Sequence, residues 1–322
     1  MQGLIVNAAR LCSVFALLKT AFAFLHTGSA SLPFRNRGSS EALALKGGNT
    51  PSSDLKTHDI LIVGAGYLGQ LVAKEWQLKY PGSTVYAETR TDAKHSNLKD
   101  MGVVPLLRSE RENHPFKEWK TVVFCAAPKG NDDYPGELKT AISLWTGDGH
   151  FVFTSSGGIF AEEAGGIVTS DSPTAEGPRA AKLVEAESHV LKAGGTVVRL
   201  SGLYDVTRGA HNYWLGLEEL DSNPDGIINL IHYEDAALLV ISAIEKGRGA
   251  KIYIGSDGVP ITRKEICDAA LLNDAYKGKK TPKFLKPSSK NDGKIYDMTE
   301  TFSELSWVPR YASFQEYMKS SN

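Results

Sequence analysis

From residue 58 onward, short apolar runs alternate with segments in which apolar residues recur at helical spacing. Several runs, such as 122–125 and 151–153, are apolar throughout, which is typical of parallel strands covered by helices on both faces. The runs predict seven strands, at 60–63, 84–87, 103–106, 121–125, 150–154, 196–200 and 251–254. Strands that alternate with helices indicate an α/β fold with a doubly wound parallel sheet.

The first predicted strand runs directly into Gly64-Ala-Gly66-Tyr-Leu-Gly69, and a helical pattern follows. The spacing suits a dinucleotide. Gly64 permits a tight turn, Gly66 lets the backbone approach a pyrophosphate, and Gly69 lets the helix pack on the strand. Free N–H groups at the helix N-terminus then face the phosphates. We therefore predict cofactor binding by Gly64, Gly66, Tyr67, Leu68 and Gly69.

The composition describes an ordinary globular chain, with 42% hydrophobic and 23% charged residues in 322. The net charge of -1 gives no reason to expect nucleic acid or an anionic membrane surface as a general partner. Cys12, Cys125 and Cys267 are too few and too scattered for a disulfide framework, and their spacing indicates no metal site. We expect a small-molecule substrate, no metal and an oligomeric state that the sequence leaves open.

The first forty residues contain basic side chains but no acidic ones. An apolar run at 11–25 ends near Ala21 and Ala23, the small residues that signal peptidase requires. Lys19 and the short length of the run disfavour a membrane-spanning helix. These features predict a signal peptide at 1–23, and we expect no membrane span in the mature chain.

Phe24 follows the predicted cleavage point and begins a stretch rich in Ser, Arg and Gly. A signal peptide followed by phenylalanine and a basic segment resembles the bipartite plastid presequence of diatoms and related algae. The resemblance implies a transit peptide or linker at 24–57 and a plastid (chloroplast) location. Secretion is the alternative, although unpaired cysteines count against it.

Four further segments follow the glycine turn in a recognisable order: Phe-Cys-Ala-Ala-Pro at 124–128, Phe-Thr-Ser-Ser at 153–156, Arg-Leu-Ser-Gly-Leu-Tyr at 199–204 and His-Tyr-Glu-Asp-Ala-Ala at 232–237. Together they resemble the extended and atypical short-chain dehydrogenases/reductases, the superfamily of the NAD-dependent epimerases and dehydratases. The resemblance covers about 58 to 265. It implies an NAD(P)-binding Rossmann domain at 58–205 and a small mixed C-terminal substrate-binding portion at 206–322 that completes the fold.

The same resemblance implies a cofactor across the carboxyl ends of the strands, with Ala126, Ala127 and Pro128 against the nicotinamide ribose and pyrophosphate. The alternative is that these small residues only make room for a packed helix. The end of the second strand bears on cofactor choice. Glu88 would hold a ribose 2′-hydroxyl of NAD if the strand ends early, whereas Thr89 with Arg90 suits the 2′-phosphate of NADP. The register favours NADP, with NAD as the alternative.

Catalytic members of this superfamily use a serine or threonine after the fifth strand and a Tyr-x-x-x-Lys pair on the next helix. Ser156 fits the hydroxyl position, with Ser155 as the second choice. Alignment on Glu187 places Leu183 at the lysine position and Arg179 at the tyrosine position, so the usual acid–base pair is absent. Arg179 stays protonated at neutral pH, and its predicted role is to clamp an anionic group or polarise a carbonyl.

The loop after the sixth strand is where the superfamily places substrate-binding residues. The candidates there and just beyond are Tyr204, Arg208, His211, Tyr213 and His232. His211 is a candidate proton donor, and the alternative is a packed, hydrogen-bonded histidine. For His232 the alternatives are ligand contact and a purely structural role.

Two functions remain in contention. The first is an NAD(P)-dependent oxidoreductase or epimerase/dehydratase-like enzyme that acts on a small anionic or sugar-derived substrate. The second is a catalytically inactive NADP-binding protein, such as a redox sensor or a plastid assembly factor, which the loss of Tyr-x-x-x-Lys with retention of the glycines would produce. An RNA-associated relative is disfavoured because no basic aromatic patch is visible.

Overall fold

A computed structural model describes residues 56–289 and 291–321. Seven strands form one sheet in which all neighbouring strands are parallel. They are β1 (Ile60–Val63), β2 (Val85–Thr89), β3 (Val104–Leu107), β4 (Trp119–Phe124), β5 (Trp145–Ser156), β7 (Thr196–Leu200) and β12 (Ile252–Gly255). The predicted α/β class and its seven strands are confirmed. The predicted signal and transit peptides lie outside the described residues, apart from the last two positions of the linker.

The strand order across the sheet is β12-β7-β5-β4-β1-β2-β3. From β1 the chain builds outward to β3, then returns to the other side of β1 and builds outward again through β4. The order therefore reverses between β1 and β4. Loops that leave the carboxyl ends of these two strands diverge, and ligands bind at such switch points in open α/β sheets.

Helices cover both faces of the sheet. Alternate residues of β1 point to opposite sides: Ile60 and Ile62 join one core, whereas Leu61 and Val63 join the other. The helices of the described residues are α1 (Tyr67–Lys79), α2 (His95–Asp100), α3 (Tyr134–Ile142), α4 (Pro178–Lys192), α5 (Ala210–Trp214), α6 (Tyr233–Lys246), α7 (Arg263–Ala270), α8 (Thr299–Glu304) and α9 (Phe314–Ser320). Residues of α1 and α6 line the first core, and residues of α3 and α4 line the second.

Shorter strands build a smaller mixed region. A four-stranded sheet contains β6 (Ala164–Val168), β10 (Ile227–Ile228), β13 (Ile261–Thr262) and β15 (Gly293–Tyr296), and two strand pairs join β8 (Gly202–Tyr204) to β11 (Leu230–His232) and β9 (Glu219–Leu220) to β14 (Lys283–Phe284). The small mixed portion is thus present. β6 precedes residue 206 and β12 follows it, so the two parts interleave along the chain, and the division at 205 stays a prediction. No helix within 56–289 and 291–321 is long and apolar enough to cross a membrane.

A third core lies around β8 and β11. Two buried carboxyl groups, those of Asp257 and Asp235, lie near it. Asp257, just after β12, is 3% exposed, and its carboxylate accepts the N–H of Val259 at 2.9 Å. Burial raises the pKa of Asp257 to about 7, and the neighbouring Asp235 adds to the rise. Asp235 accepts the N–H groups of Arg310 and Tyr311, yet burial raises its pKa to about 6.

The Asp257 carboxyl predicts a pH dependence of stability. Because its pKa is raised from 3.8 to about 7, the folded protein holds this proton more tightly than the unfolded chain, and the free energy of unfolding falls as pH rises between those values. Asp257→Asn removes the charge and keeps an acceptor for Val259. We expect the variant to gain about 2 kcal/mol or more over the wild type near neutral pH and to lose that gain near about pH 4. Urea unfolding across this range measures the difference; a gain that does not change with pH would contradict the assignment.

Candidate functional site

In the glycine turn after β1, neighbouring atoms crowd the first and last glycines, whereas the middle glycine has free space beside it. Gly64 has a φ of +92°, and a Cβ there would overlap the backbone of Ala126. A Cβ on Gly69 would lie 2.6 Å from the carbonyl oxygen of Gly64. A Cβ on Gly66 would meet no atom within 4 Å. The turn therefore leaves free space at the one glycine that is predicted to face a pyrophosphate.

Helix α1 begins directly after this opening. Gly66 is its N-cap residue, no side chain caps the helix, and its first turn contains no acidic residue. The first N–H groups of a helix have no intrahelical partner and carry the positive end of the helix dipole. Leu68 buries its side chain in the core, so it has only its backbone to offer a ligand. Tyr67, in contrast, is 39% exposed. The geometry suits an anion such as a phosphate.

The loop after β4 forms the opposite wall. Ala126 and Pro128 are half-buried and Ala127 is exposed. The carbonyl of Ala126 accepts the hydroxyl of Tyr134 at 2.8 Å, which fixes the start of the loop. Lys182 of α4 donates to the carbonyl of Asn131 at 3.2 Å further along the loop. The space between the two loops is the candidate site, here called the crevice, and Lys182 is a loop-positioning residue that the sequence did not reveal in this role.

At the end of β2 the structure counts against Glu88 as a ribose ligand. The strand extends to Thr89, and the Glu88 side chain is fully buried. Its carboxylate accepts hydrogen bonds at 2.6 Å from the Nε and Nη2 atoms of Arg111, and Arg108 donates from 3.2 Å. Both arginines belong to the short 3₁₀ segment Arg108–Asn113 after β3. Because the pairing is long-range, the sequence pattern around Glu88 did not reveal it.

Thr89 and Arg90 lie at the exposed end of β2. The Thr89 hydroxyl is 2.7 Å from Nε2 of His95. Arg90 is exposed, and its Nη1 donates to the carbonyl of Gly130 at 2.6 Å. Arg90 thus reaches from β2 to the loop after β4, across the side of the crevice beyond the glycine turn.

The two serines at the end of β5 have different environments. Ser155 is buried, and its hydroxyl donates to Glu187 at 2.6 Å. Glu187 also accepts two hydrogen bonds from the buried Arg199, at 2.7 and 3.1 Å. This network counts against a substrate contact by Ser155. Ser156 is half-exposed, and its oxygen accepts the N–H of Gly158 at 3.2 Å, which leaves the hydroxyl hydrogen free to donate.

Helix α4 exposes Arg179 and buries Leu183, the two residues that the sequence analysis aligned with the Tyr-x-x-x-Lys pair. Arg179, in the first turn, is exposed and makes no hydrogen bond or ion pair with another described residue. Leu183 is buried in the core on the α3 and α4 side. The N–H of Ala175 donates to the carbonyl of Ile159 at 2.7 Å, so the approach to α4 lies next to the residues that follow Ser156.

Three predicted site residues lie inside the third core: Tyr204, His232 and His211. Tyr204 is fully buried, and its ring meets those of His232 and Phe314 at centroid distances of 5.4 and 4.9 Å. His232 is buried, its Nδ1 accepts the N–H of Glu234 to cap α6, and burial lowers its pKa to about 4. These surroundings count against substrate contact by Tyr204 and His232 and match the structural alternative.

His211 is 1% exposed, and its Nε2 lies 3.0 Å from the carbonyl oxygen of Val206. A carbonyl only accepts, so Nε2 carries the hydrogen, and burial lowers the pKa of the ring. Buried and bonded in this way, His211 lacks the access that a proton donor to substrate needs. Its neighbours Arg208 and Tyr213 are exposed, Tyr213 by 67%.

Arg208 lies over Tyr67, a contact between the third core region and the glycine turn. Its guanidinium carbon is 4.2 Å from the centroid of the Tyr67 ring. Burial raises the pKa of Tyr67 to about 12, and a hydrogen bond to Asp205 adds to the rise. The sequence predicted both Tyr67 and Arg208 as ligand-binding residues but gave no sign that they touch.

Two cavities lie away from the crevice. One of about 310 Å³ lies beside the ends of β2 and β3, and one of about 590 Å³ lies beside β6. Neither contains a predicted site residue, although His95, the partner of Thr89, lines the first. Among the described residues, no group of His, Cys, Asp and Glu side chains is arranged to hold a metal ion.

Neither a family model nor a curated protein sequence matches the chain. Solved structures do match it. A dTDP-glucose 4,6-dehydratase from Bacillus anthracis in complex with NAD is 17% identical, with a TM-score of 0.66 over 81% of this chain and 94% of that one. A UDP-glucose 4-epimerase from Thermotoga maritima with UDP-glucose is 18% identical, with a TM-score of 0.62 over 81% and 96%.

A UDP-glucuronic acid 4-epimerase from Bacillus cereus in complex with NAD has a TM-score of 0.64 at 14% identity, over 81% of this chain and 96% of that one. All three are epimerases or dehydratases that act on sugar nucleotides, and the alignments extend over nearly the whole of each. Similarity at this level of identity concerns the fold. The chain has the Rossmann-type fold of the NAD-dependent epimerases and dehydratases.

Proposed function

We propose that the chain binds NADP and acts as an oxidoreductase or an epimerase/dehydratase-like enzyme on a small anionic or sugar-derived substrate. The observation that supports this best is the open space at Gly66, at the free N-terminus of α1 and at the reversal of strand order. Two of the structural neighbours were solved with NAD, which supports the same kind of cofactor. A plastid location rests on the presequence resemblance alone.

The residues around the crevice fit the parts of a dinucleotide. The backbone at Gly66 and the first N–H groups of α1 would hold the pyrophosphate, because a Cβ is missing where the phosphates must approach. Ala126 to Pro128 would lie against the nicotinamide ribose. The bound nicotinamide supplies hydride acceptance or donation, and the protein positions the substrate against it.

Charge at the end of β2 favours NADP over NAD. Arg90 is exposed, and its Nη1 donates to the carbonyl of Gly130, so its remaining N–H groups are available to a 2′-phosphate. The nearest carboxylate on the strand, Glu88, is neutralised by Arg108 and Arg111. It therefore neither binds ribose hydroxyls nor repels a phosphate.

A substrate anion would bind at the start of α4. Arg179 is exposed and has no ion-pair partner among the described residues, and α4 has neither a capping side chain nor an acidic residue in its first turn. A carboxylate or phosphate there would gain both the guanidinium and the helix dipole. Ser156, on the neighbouring strand end, would donate a hydrogen bond to the reacting oxygen.

A specific observation supports a second candidate, a dinucleotide-binding protein without turnover. Leu183 is buried, His211 is bonded inside the third core, and Arg179 stays protonated. None of these predicted catalytic positions offers an acid–base group to the crevice. A redox sensor or a plastid assembly factor would retain the glycine turn and need no such group.

The glycine turn provides the first test. Gly66→Ala places a methyl group in open space at an allowed φ of −70°, so we expect wild-type folding and at least about tenfold weaker NADPH binding, since the methyl blocks the pyrophosphate. Gly64→Ala is the matched variant, and we expect it to misfold because its Cβ overlaps Ala126. Thermal unfolding and calorimetric titration measure both effects. Undiminished NADPH affinity in Gly66→Ala would contradict the binding mode.

Arg90 tests cofactor choice. We expect Arg90→Ala to weaken NADPH binding about tenfold or more and to leave NADH binding nearly unchanged, because only NADPH carries the 2′-phosphate. Nicotinamide fluorescence measures both dissociation constants. Equal losses for the two cofactors would place Arg90 elsewhere on the ligand.

Arg179 separates the two candidate functions. With NADP as cofactor for UDP-glucose, and NADPH as cofactor for keto acids and aldehydes, an enzyme should consume at least one trial substrate, and Arg179→Gln should raise its KM about tenfold or more with unchanged cofactor affinity. Lys192→Gln, at the exposed far end of α4, is the control. Tight NADPH binding without turnover of any trial substrate would favour the sensor or assembly factor.

A further inference from the structure

The turn at residues 205–209, here called the Asp205 turn, follows β8 and is rigidly built. The buried Asp205 carboxylate accepts the N–H groups of Thr207 and Arg208, both at 2.7 Å. The N–H of Asp205 donates to the carbonyl of Arg208 at 3.0 Å, which closes the turn. The turn thus fixes the backbone from which the Arg208 side chain projects.

Buried side chains anchor the Asp205 turn from below. The carbonyl of Val206 accepts the hydroxyl of Tyr276 at 2.7 Å and the Nε2 hydrogen of His211 at 3.0 Å. Both partners are buried in or against the third core. His211, predicted as a proton donor, therefore holds this turn in place.

Above the turn, Arg208 extends toward the glycine turn. Its guanidinium stacks 4.2 Å from the Tyr67 ring, and Tyr67 is the first residue of α1, next to the open Gly66. Arg208 remains 55% exposed, and its Nε lies 3.9 Å from Asp205, so the charge is only loosely paired.

We propose that Arg208 is a second clamp on the cofactor pyrophosphate, an inference that rests on the proposed dinucleotide binding. The glycine turn offers a pyrophosphate only backbone N–H groups, because the first turn of α1 carries no basic side chain. A guanidinium supplies charge and paired N–H donors, and stacking on an aromatic ring orients it in advance. Arg208 was predicted from sequence to bind substrate; its position on Tyr67 assigns it to the phosphates.

This arrangement divides the phosphate site between two distant parts of the chain. Helix α1 packs on the main sheet, whereas the Asp205 turn lies in the region around β8, β11 and α9. A bound pyrophosphate would hold these parts together through Arg208.

The test compares NADPH with ADP-ribose, which carries the pyrophosphate but neither the nicotinamide nor the 2′-phosphate. Arg208→Gln keeps much of the side-chain stem over Tyr67 and removes the charge. We expect it to weaken the binding of both ligands by the same factor, about 10- to 100-fold, and to reduce the salt dependence of binding. Arg208→Lys should recover part of the loss. Arg248→Gln, an exposed arginine of the loop before β12, is the control and should change nothing.

Tyr67→Leu provides a second variant that leaves Arg208 intact. If stacking orients the guanidinium, this change should weaken ADP-ribose binding about 2- to 5-fold and add little in combination with Arg208→Gln. Circular dichroism and thermal unfolding confirm that each variant is folded.

Each outcome separates the two proposals. Wild-type protein that binds neither NADPH nor ADP-ribose would overturn the dinucleotide function and this inference with it. Wild-type binding that Arg208→Gln leaves unchanged would overturn the clamp alone. An Arg208→Gln variant with normal ADP-ribose affinity and a raised KM for a turned-over substrate would return Arg208 to the substrate side and also overturn the clamp.

Discussion

The carboxyl edge of the sheet depends on one close approach, between the backbone of Gly64 and that of Ala126. These residues follow β1 and β4, the neighbouring strands between which the strand order reverses. The loops touch at their base because Gly64 has no side chain and adopts a positive φ. Above that point they diverge, and the open face at Gly66 results. A crevice exists here because side-chain atoms are missing at specific positions.

Buried carboxylates in this fold are accommodated in two ways. Glu88 and Glu187 are each paired with arginine, so their oxygens are already bonded. Asp235 and Asp257 receive backbone N–H groups but no direct hydrogen bond from an arginine side chain of the described residues, and burial raises their pKa values. The paired carboxylates fix the ends of β2 and β5 and are not free to hold a ligand. The unpaired ones make stability depend on pH.

Local charge, not net charge, governs which ligand the carboxyl edge can accept. The chain as a whole carries a net charge of -1. Yet three exposed arginines come from separate elements: Arg90 follows β2, Arg179 lies at the start of α4, and Arg208 follows β8. Together with the N-termini of α1 and α4 they make the edge receptive to anions. This is the physical basis on which we propose a phosphate-bearing cofactor and an anionic substrate.

The sequence by itself determined the sheet, because its signals are local. Apolar runs that are buried on both faces, and glycines that must lack a side chain, can be recognised from neighbouring residues alone. The sequence indicated Gly64, Gly66 and Gly69 as the glycines of the turn. Tertiary structure alone decided which polar side chains are free. Ser155, Tyr204, His211 and Glu88 resemble ligand residues in sequence, but partners or packing distant along the chain occupy them. Burial and pairing of a polar group depend on what the rest of the chain brings against it, and no local pattern encodes that.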